Sequence, residues 1–175
     1  MSIACLDVHY ADPRAAAACV VLPSWQAAEP EECVVRTVDN VMPYEAGAFY
    51  RRELPCIAEV LKALCRVPEI LVVDGYVWLG HRKKGLGAYL FEARGSLGAV
   101  VGIAKTRFIG AEPVGEVLRG QSRRPLFVSA VGMELVEACT HVEKMHGKFR
   151  VPWAMSEADR LAREHHISPP SSFTV

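Results

Sequence analysis

The sequence has no net charge, no long apolar run and no paired-cysteine motif, and each absence removes a class of protein. Its 20 Lys and Arg balance 20 Asp and Glu. The global positive field that commonly marks a nucleic-acid binder is therefore missing, and a phosphate-binding surface would have to be local. Arg51-Arg52, Arg82-Lys83-Lys84 and Arg123-Arg124 are the local clusters, each by itself more simply read as a solvated face or loop. No stretch approaches the roughly 20 consecutive apolar residues of a membrane span. The first residues lack the basic, apolar and small-residue succession of a secretory signal. A cytoplasmic protein with no membrane partner is expected. Cys5, Cys19, Cys33, Cys56, Cys65 and Cys139 are scattered, mostly in apolar runs, with no C-x-x-C. That pattern predicts buried, reduced thiols rather than disulfides or a zinc site. There is no internal repeat, and nothing calls for an obligate protein partner.

What is present is a 175-residue chain, 51% hydrophobic, enough for one globular domain over 1–167 followed by a disordered Ser/Pro-rich tail at 168–175. Three strand-like runs open it, Ile3 to His9, Ala15 to Leu22 and Glu32 to Val38, joined by short connections that predict an antiparallel meander. Leu54, Ile57, Val60, Leu61 and Leu64 then recur at helical spacing. Pro55 is tolerated in a first turn, so this helix is expected to begin near Leu54 with Glu53 at its entrance. Further strands at Ile70 to Val73, Ala99 to Ala104 and Leu126 to Ala130 alternate with helices near Ala88 to Arg94, Glu134 to His146 and Met155 to His165. This order predicts an α/β fold of the ribonuclease H-like kind: a mixed sheet of three antiparallel strands, then alternating helices and strands, flanked by helices.

Asp7 sits late in an otherwise apolar strand, and Asp74 ends a second one. An unpaired carboxylate in a core carries a large desolvation cost. One such residue is commonly a turn cap or an arginine partner. Two of them, with Glu53 nearby, would suit a hard divalent cation if the strands were neighbours.

Ordered motifs extend this reading. Asp7-Val8-His9-Tyr10, Pro43-Tyr44-Glu45-Ala46-Gly47 through Arg52-Glu53-Leu54-Pro55, Leu71 to Gly75, and Gly102-Ile103-Ala104-Lys105 resemble, in order and spacing, the motifs of the endonuclease V family. Weaker echoes continue in Pro125 to Ser129, Phe149 to Pro152, and Ala158-Asp159 with Arg163 to His165. The resemblance implies a metal-dependent endonuclease that cuts DNA or RNA on the 3′ side of a deaminated base, hypoxanthine, with Mg2+ as cofactor and Mn2+ as a substitute. It implies that Asp7, Glu53 and Asp74 hold the metal and that Lys105 joins them in catalysis at the phosphate. Tyr44 would be the wedge that fills the gap left by an extruded base, and Gly47, Gly75, His81 and Arg82 would also contact the nucleic acid.

The chain reads as a divergent member. Tyr76 and Val77 follow Asp74-Gly75 where the family carries a small polar residue or His and then Gly, so Val77 is expected to crowd the base pocket. The family's Ser/Cys-His-Leu becomes Ala88-Tyr89-Leu90. Gly132 stands where a His of the family is expected, and that His is expected at the metal site. These changes leave two alternatives open: a non-cleaving nucleic-acid binding module, and a ribonuclease H-like nuclease with another substrate.

Overall fold

A computed structural model describes residues 1–81 and 83–167; Arg82 and the expected tail at 168–175 lie outside the described residues. The element order is β1 (Ile3–Ala11), β2 (Arg14–Leu22), β3 (Glu32–Val38), α1 (Phe49–Lys62), β4 (Ile70–Asp74), α2 (Leu86–Ala93), β5 (Ala99–Ala104), β6 (Gly115–Val117), β7 (Leu126–Val131), α3 (Leu135–Lys144) and α4 (Trp153–Ile167). The strands form one seven-stranded sheet in the order β3-β2-β1-β4-β5-β7-β6. The opening meander is antiparallel as expected. β4 and β5 then run parallel to β1, and β7 returns antiparallel to β5. β6, three residues at the sheet edge, is too short to show a period in the sequence.

Helix α1 differs from the expectation. It begins at Phe49, so Pro55 lies inside it and Glu53 is a helical residue. An internal proline removes one amide donor and crowds the preceding turn, at about 3 kcal/mol. Cys56, Ile57 and Val60 are at most 1% exposed. Burial of a large apolar side chain contributes roughly 1.5–3 kcal/mol, so docking onto the sheet outweighs the local cost.

The two faces are covered by different helices. Cys56, Ile57 and Val60 of α1 and Leu86 and Leu90 of α2 pack on Ala4, Leu6, Leu71 and Val73. Ala138 and Val142 of α3 and Ala154, Met155 and Ala158 of α4 pack on the opposite face, with Cys5, Val72, Val101 and Ile103. In α4, Ala154, Ala158 and Ala162 repeat every fourth residue and are at most 2% exposed. The Ala-rich strand β2 lies beneath α4 and is buried from Ala15 onward. Small side chains on both partners let this helix lie close to the sheet, which fixes the height of whatever flanks the stripe. The segment entering α4 is tied by Arg119, whose buried guanidinium donates to the carbonyls of Glu143, Met145, Gly147, Phe149 and Arg150. A buried cation is tolerated only with such a full set of acceptors.

The thiols are free but not uniformly buried, as the sequence reading expected them to be. Cys5, Cys19 and Cys56 are interior, whereas Cys33 and Cys65 are exposed. Cys33 lies on edge strand β3, and Cys65 lies beyond the end of α1. Among the described residues no helix is long and apolar enough to cross a membrane.

Candidate active site

The β1–β4 ladder reaches Leu6↔Val73, so Asp7 and Asp74 come next on adjacent parallel strands at the same edge of the sheet. Alternation turns both toward the face of Cys5 and Val72, the face that α4 covers. Asp74 is opposite Ile103 in β5. Lys105 leaves the end of that strand, and its Nζ donates to Asp74 Oδ2 at 2.6 Å. Glu53 approaches the same charges from α1. The structure thus brings Asp7, Asp74 and Lys105 to one sheet edge, and Glu53, arriving from within a helix, lies close enough to feel the charges of Asp7 and Asp74.

The environment makes these carboxylates unusual. Burial is the main cause that pushes Asp7 up to about 6; Asp159 and Asp74 add to it, and Lys105 and Arg163 oppose it. Glu53 is pushed up to about 8, again mainly by burial, with Asp7 and Asp74 adding and Arg52 opposing. The Arg52 guanidinium pairs with Asp12 and lies 3.9 Å from the Tyr10 ring centroid. Glu53 Oε2 is buried without a hydrogen-bond partner. Oxygen donors that raise one another's proton affinity, one of them an orphan, suit a hard divalent cation, which would relieve both the repulsion and the vacancy in bonding. Among the described residues no three Asp, Glu, His or Cys side chains already stand as a metal cage, and Asp74 is turned to Lys105.

Asp159 is the residue that sequence reasoning left without a role. It directly follows Ala158 in the small-residue stripe of α4, so the close packing of that helix carries it to Asp7. Arg163, one turn on, donates to it at 2.8 Å. The available signal was the Ala158-Asp159 echo, read together with the four-residue alanine repeat.

Two departures from the family pattern lie elsewhere than expected. β7 runs antiparallel to β5, with Val131 opposite Val100, so Gly132 lies at the edge of the sheet opposite to Asp74. A His at 132 could not reach the carboxylates. Gly132 has φ +80, and a Cβ there would stand 2.2 Å from the Gly98 carbonyl oxygen. Gly132→His is therefore expected to destabilise the fold by about 2 kcal/mol or more without raising any activity; urea unfolding and a cleavage assay on the same variant check both. Val77 does not crowd an open pocket. It is fully buried, its side chain fills the space above Gly87, and its N–H donates to Ser129 Oγ at 2.9 Å. Both observations that favoured a non-cleaving module thereby lose their force.

The remaining residues ring the edge. Tyr44 is 67% exposed on the connection before α1. Gly47 and Gly75 have φ of +81 and +140 with open space where a Cβ would be, so turn geometry alone requires glycine there. His81 is exposed in the turn after β4. A cavity lined by Met1, Glu31, Cys65 and Glu69 opens at the opposite edge and shares none of these residues.

Known proteins can be set beside this geometry. The sequence pattern of the Endonuclease V family matches residues 1–113. An endonuclease V of Streptomyces avermitilis is 33% identical over 182 residues, covering 90% of this chain and 77% of that protein. The crystal structure of an endonuclease V from the same organism superposes with a TM-score of 0.77 at 26% identity, over 95% of this chain and 81% of that one. The catalytic domain of human endonuclease V gives 0.76 at 25%, over 94% and 82%. A Ciona intestinalis endonuclease V bound to a 23mer DNA containing an inosine followed by a ribo-adenosine gives 0.81 at 19%, over 94% and 84%, a likeness of fold.

Proposed function

Because this chain belongs to the endonuclease V family, we propose that it is a divalent-metal-dependent endonuclease that cuts a phosphodiester bond on the 3′ side of hypoxanthine in DNA or RNA. The observation that carries the reading is the gathering of Asp7, Asp74 and Lys105 at one sheet edge with Glu53 beside them. Asp7, Glu53 and Asp74 would hold the ion, Mg2+ with Mn2+ as substitute, and Asp159 would stand behind Asp7. The bound ion would supply a water activated for attack and charge stabilisation at the pentavalent phosphate.

The chain's own groups do the positioning. Lys105, held at Asp74, offers a fixed positive charge to the phosphate oxygens as negative charge develops. Its exposure leaves it free to exchange a carboxylate partner for a phosphate. Tyr44 is exposed, as a wedge must be, and the backbone turns at Gly47 and Gly75 would flank an extruded base. His81 and Arg82 would contact the strand.

The test is cleavage of inosine-containing DNA and RNA against adenine-containing controls, with Mg2+ or Mn2+ and with chelator. Cutting on the 3′ side of inosine that chelator abolishes is expected; intact inosine strands of both kinds at every metal concentration would overturn the reading. Tyr44→Ala is expected to slow cutting of inosine duplexes about tenfold, since aromatic stacking contributes roughly 1–3 kcal/mol per base. Its melting temperature should not change, because the side chain is exposed. An unchanged rate would remove Tyr44 from the wedge role.

A further inference from the structure

The carboxylate cluster does not account for two tyrosines on the layer of α1 and α2. Tyr50 in the first turn of α1 and Tyr89 in α2 stack with ring centroids 3.7 Å apart and an interplanar angle of 10°. Aromatic pairs left to themselves prefer offset or edge-on contacts with centroids about 4.5–7 Å apart, so the two helices impose this face-to-face arrangement. Both rings are partly buried, Tyr50 against the core under α1, and keep some surface in solvent. Each carries a cation: the Arg51 guanidinium lies 5.9 Å from the Tyr50 centroid and the Lys84 ammonium 5.6 Å from that of Tyr89. Arg51 Nε also donates to the Tyr50 hydroxyl at 3.3 Å. The acidic partners of these cations, Glu45 and Glu92, are themselves half or more exposed. Such surface pairs are weak, and a phosphate can replace the carboxylate.

The pair adjoins the catalytic edge. Tyr50 precedes Glu53 by one turn of α1. The start of α2 hangs from the residues just past Asp74, through Gly85 N–H to the Val77 carbonyl at 2.8 Å and Gly87 N–H to the Tyr76 carbonyl at 3.2 Å. Lys105 borders the carboxylates from β5, and the tyrosines lie on the layer of α1 and α2, Tyr50 on the helix that carries Glu53.

We propose that Tyr50 and Tyr89 form a stacking platform for a nucleobase of the single strand beside the cut phosphodiester, with Arg51 and Lys84 taking its phosphates. The placement of that strand rests on the nuclease reading; the binding of a base to the platform is tested without it. Aromatic faces with interleaved cations bind single strands without regard to sequence, because every base has a π-face.

The experiment measures the affinity of the metal-free protein, at fixed salt, for a plain single-stranded oligonucleotide without inosine and for an abasic strand of equal length. Wild-type protein is expected to prefer the strand with bases. Tyr89→Ala and Tyr89→Leu should weaken that binding roughly tenfold, leave the abasic strand unaffected, and be rescued by Tyr89→Trp. The leucine variant keeps the seam between α1 and α2 filled, so a mere packing role would leave its binding at the wild-type level. That result, equal weakening on both strands, or a wild-type protein indifferent to the presence of bases would overturn the platform. If the platform behaves as expected but inosine strands stay uncut, the nuclease reading alone falls.

Discussion

Replacing Asp7 by Asn is expected to lower the rate of inosine-directed cleavage by at least about a thousandfold, a loss of roughly 4 kcal/mol in transition-state stabilisation. Asp7 is joined in the β1–β2 ladder through its backbone opposite Ala18, so the amide keeps the strand in place and removes only the charge. The charge matters because Asp7 lies at the centre of the group: Asp74, Asp159 and Lys105 all act on it, and Glu53 feels it more strongly than it feels Asp74. Single-turnover cleavage with saturating Mg2+, alongside a thermal melt, separates chemistry from folding. A folded Asp7→Asn protein cutting within tenfold of wild type would remove Asp7 from the site. Asp159→Asn should cost less, because Asp159 acts on the cluster through Asp7 and is held by Arg163.

The opposite sign is expected for stability at Glu53. Burial, Asp7 and Asp74 raise its proton affinity to about 8 from an ordinary 4.5. A group raised in the folded state contributes stability that is complete below the unfolded value and is lost as pH rises through the folded one. The metal-free protein should therefore lose stability between about pH 4.5 and 8, with Asp7 contributing to the loss between about 3.8 and 6. Within its window each group lowers stability by at most roughly 1.4 kcal/mol per pH unit. Glu53→Gln keeps the shape and is neutral at every pH. It should flatten the melting-temperature profile and be the more stable protein at pH 8.5 without metal, while cutting poorly. Mg2+ or Mn2+ should raise the melting temperature of wild type far more than that of Glu53→Gln, because the ion neutralises a charge that the variant lacks. A Glu53→Gln protein that melts below wild type at pH 8.5 in chelator would contradict the buried, repelled carboxylate described above.

These expectations rest on residues that differ in how legible they were. Asp7 and Asp74 could be read from the sequence because each is a carboxylate late in or at the end of an apolar strand, a local property, whereas Lys105 was legible only through the motif it shares with the family. Apolar strand-like runs and short connections likewise announced the meander and placed β5 over Ala99–Ala104. Glu53 was legible as a residue but not as a position. Pro55 argues locally for a helix start, and only the burial of Cys56, Ile57 and Val60 against the sheet carries α1 back to Phe49. Asp159 could not be assigned from local pattern, since an aspartate on an amphipathic helix is ordinary until the alanine stripe presses α4 onto β1. Gly132 and Val77 were misplaced for the converse reason: strand direction and interior packing decide which edge a residue reaches, and neither is written in spacing. The sequence by itself determined the carboxylates, the lysine and the family, because residue identity and motif order are properties of the chain. The tertiary structure decided that parallel β1 and β4 set two aspartates side by side, that α1 and α4 bring two more carboxylates to them, and that the resulting crowding shifts their protonation. Charge repulsion and desolvation depend on distance through space, and the fold sets that distance.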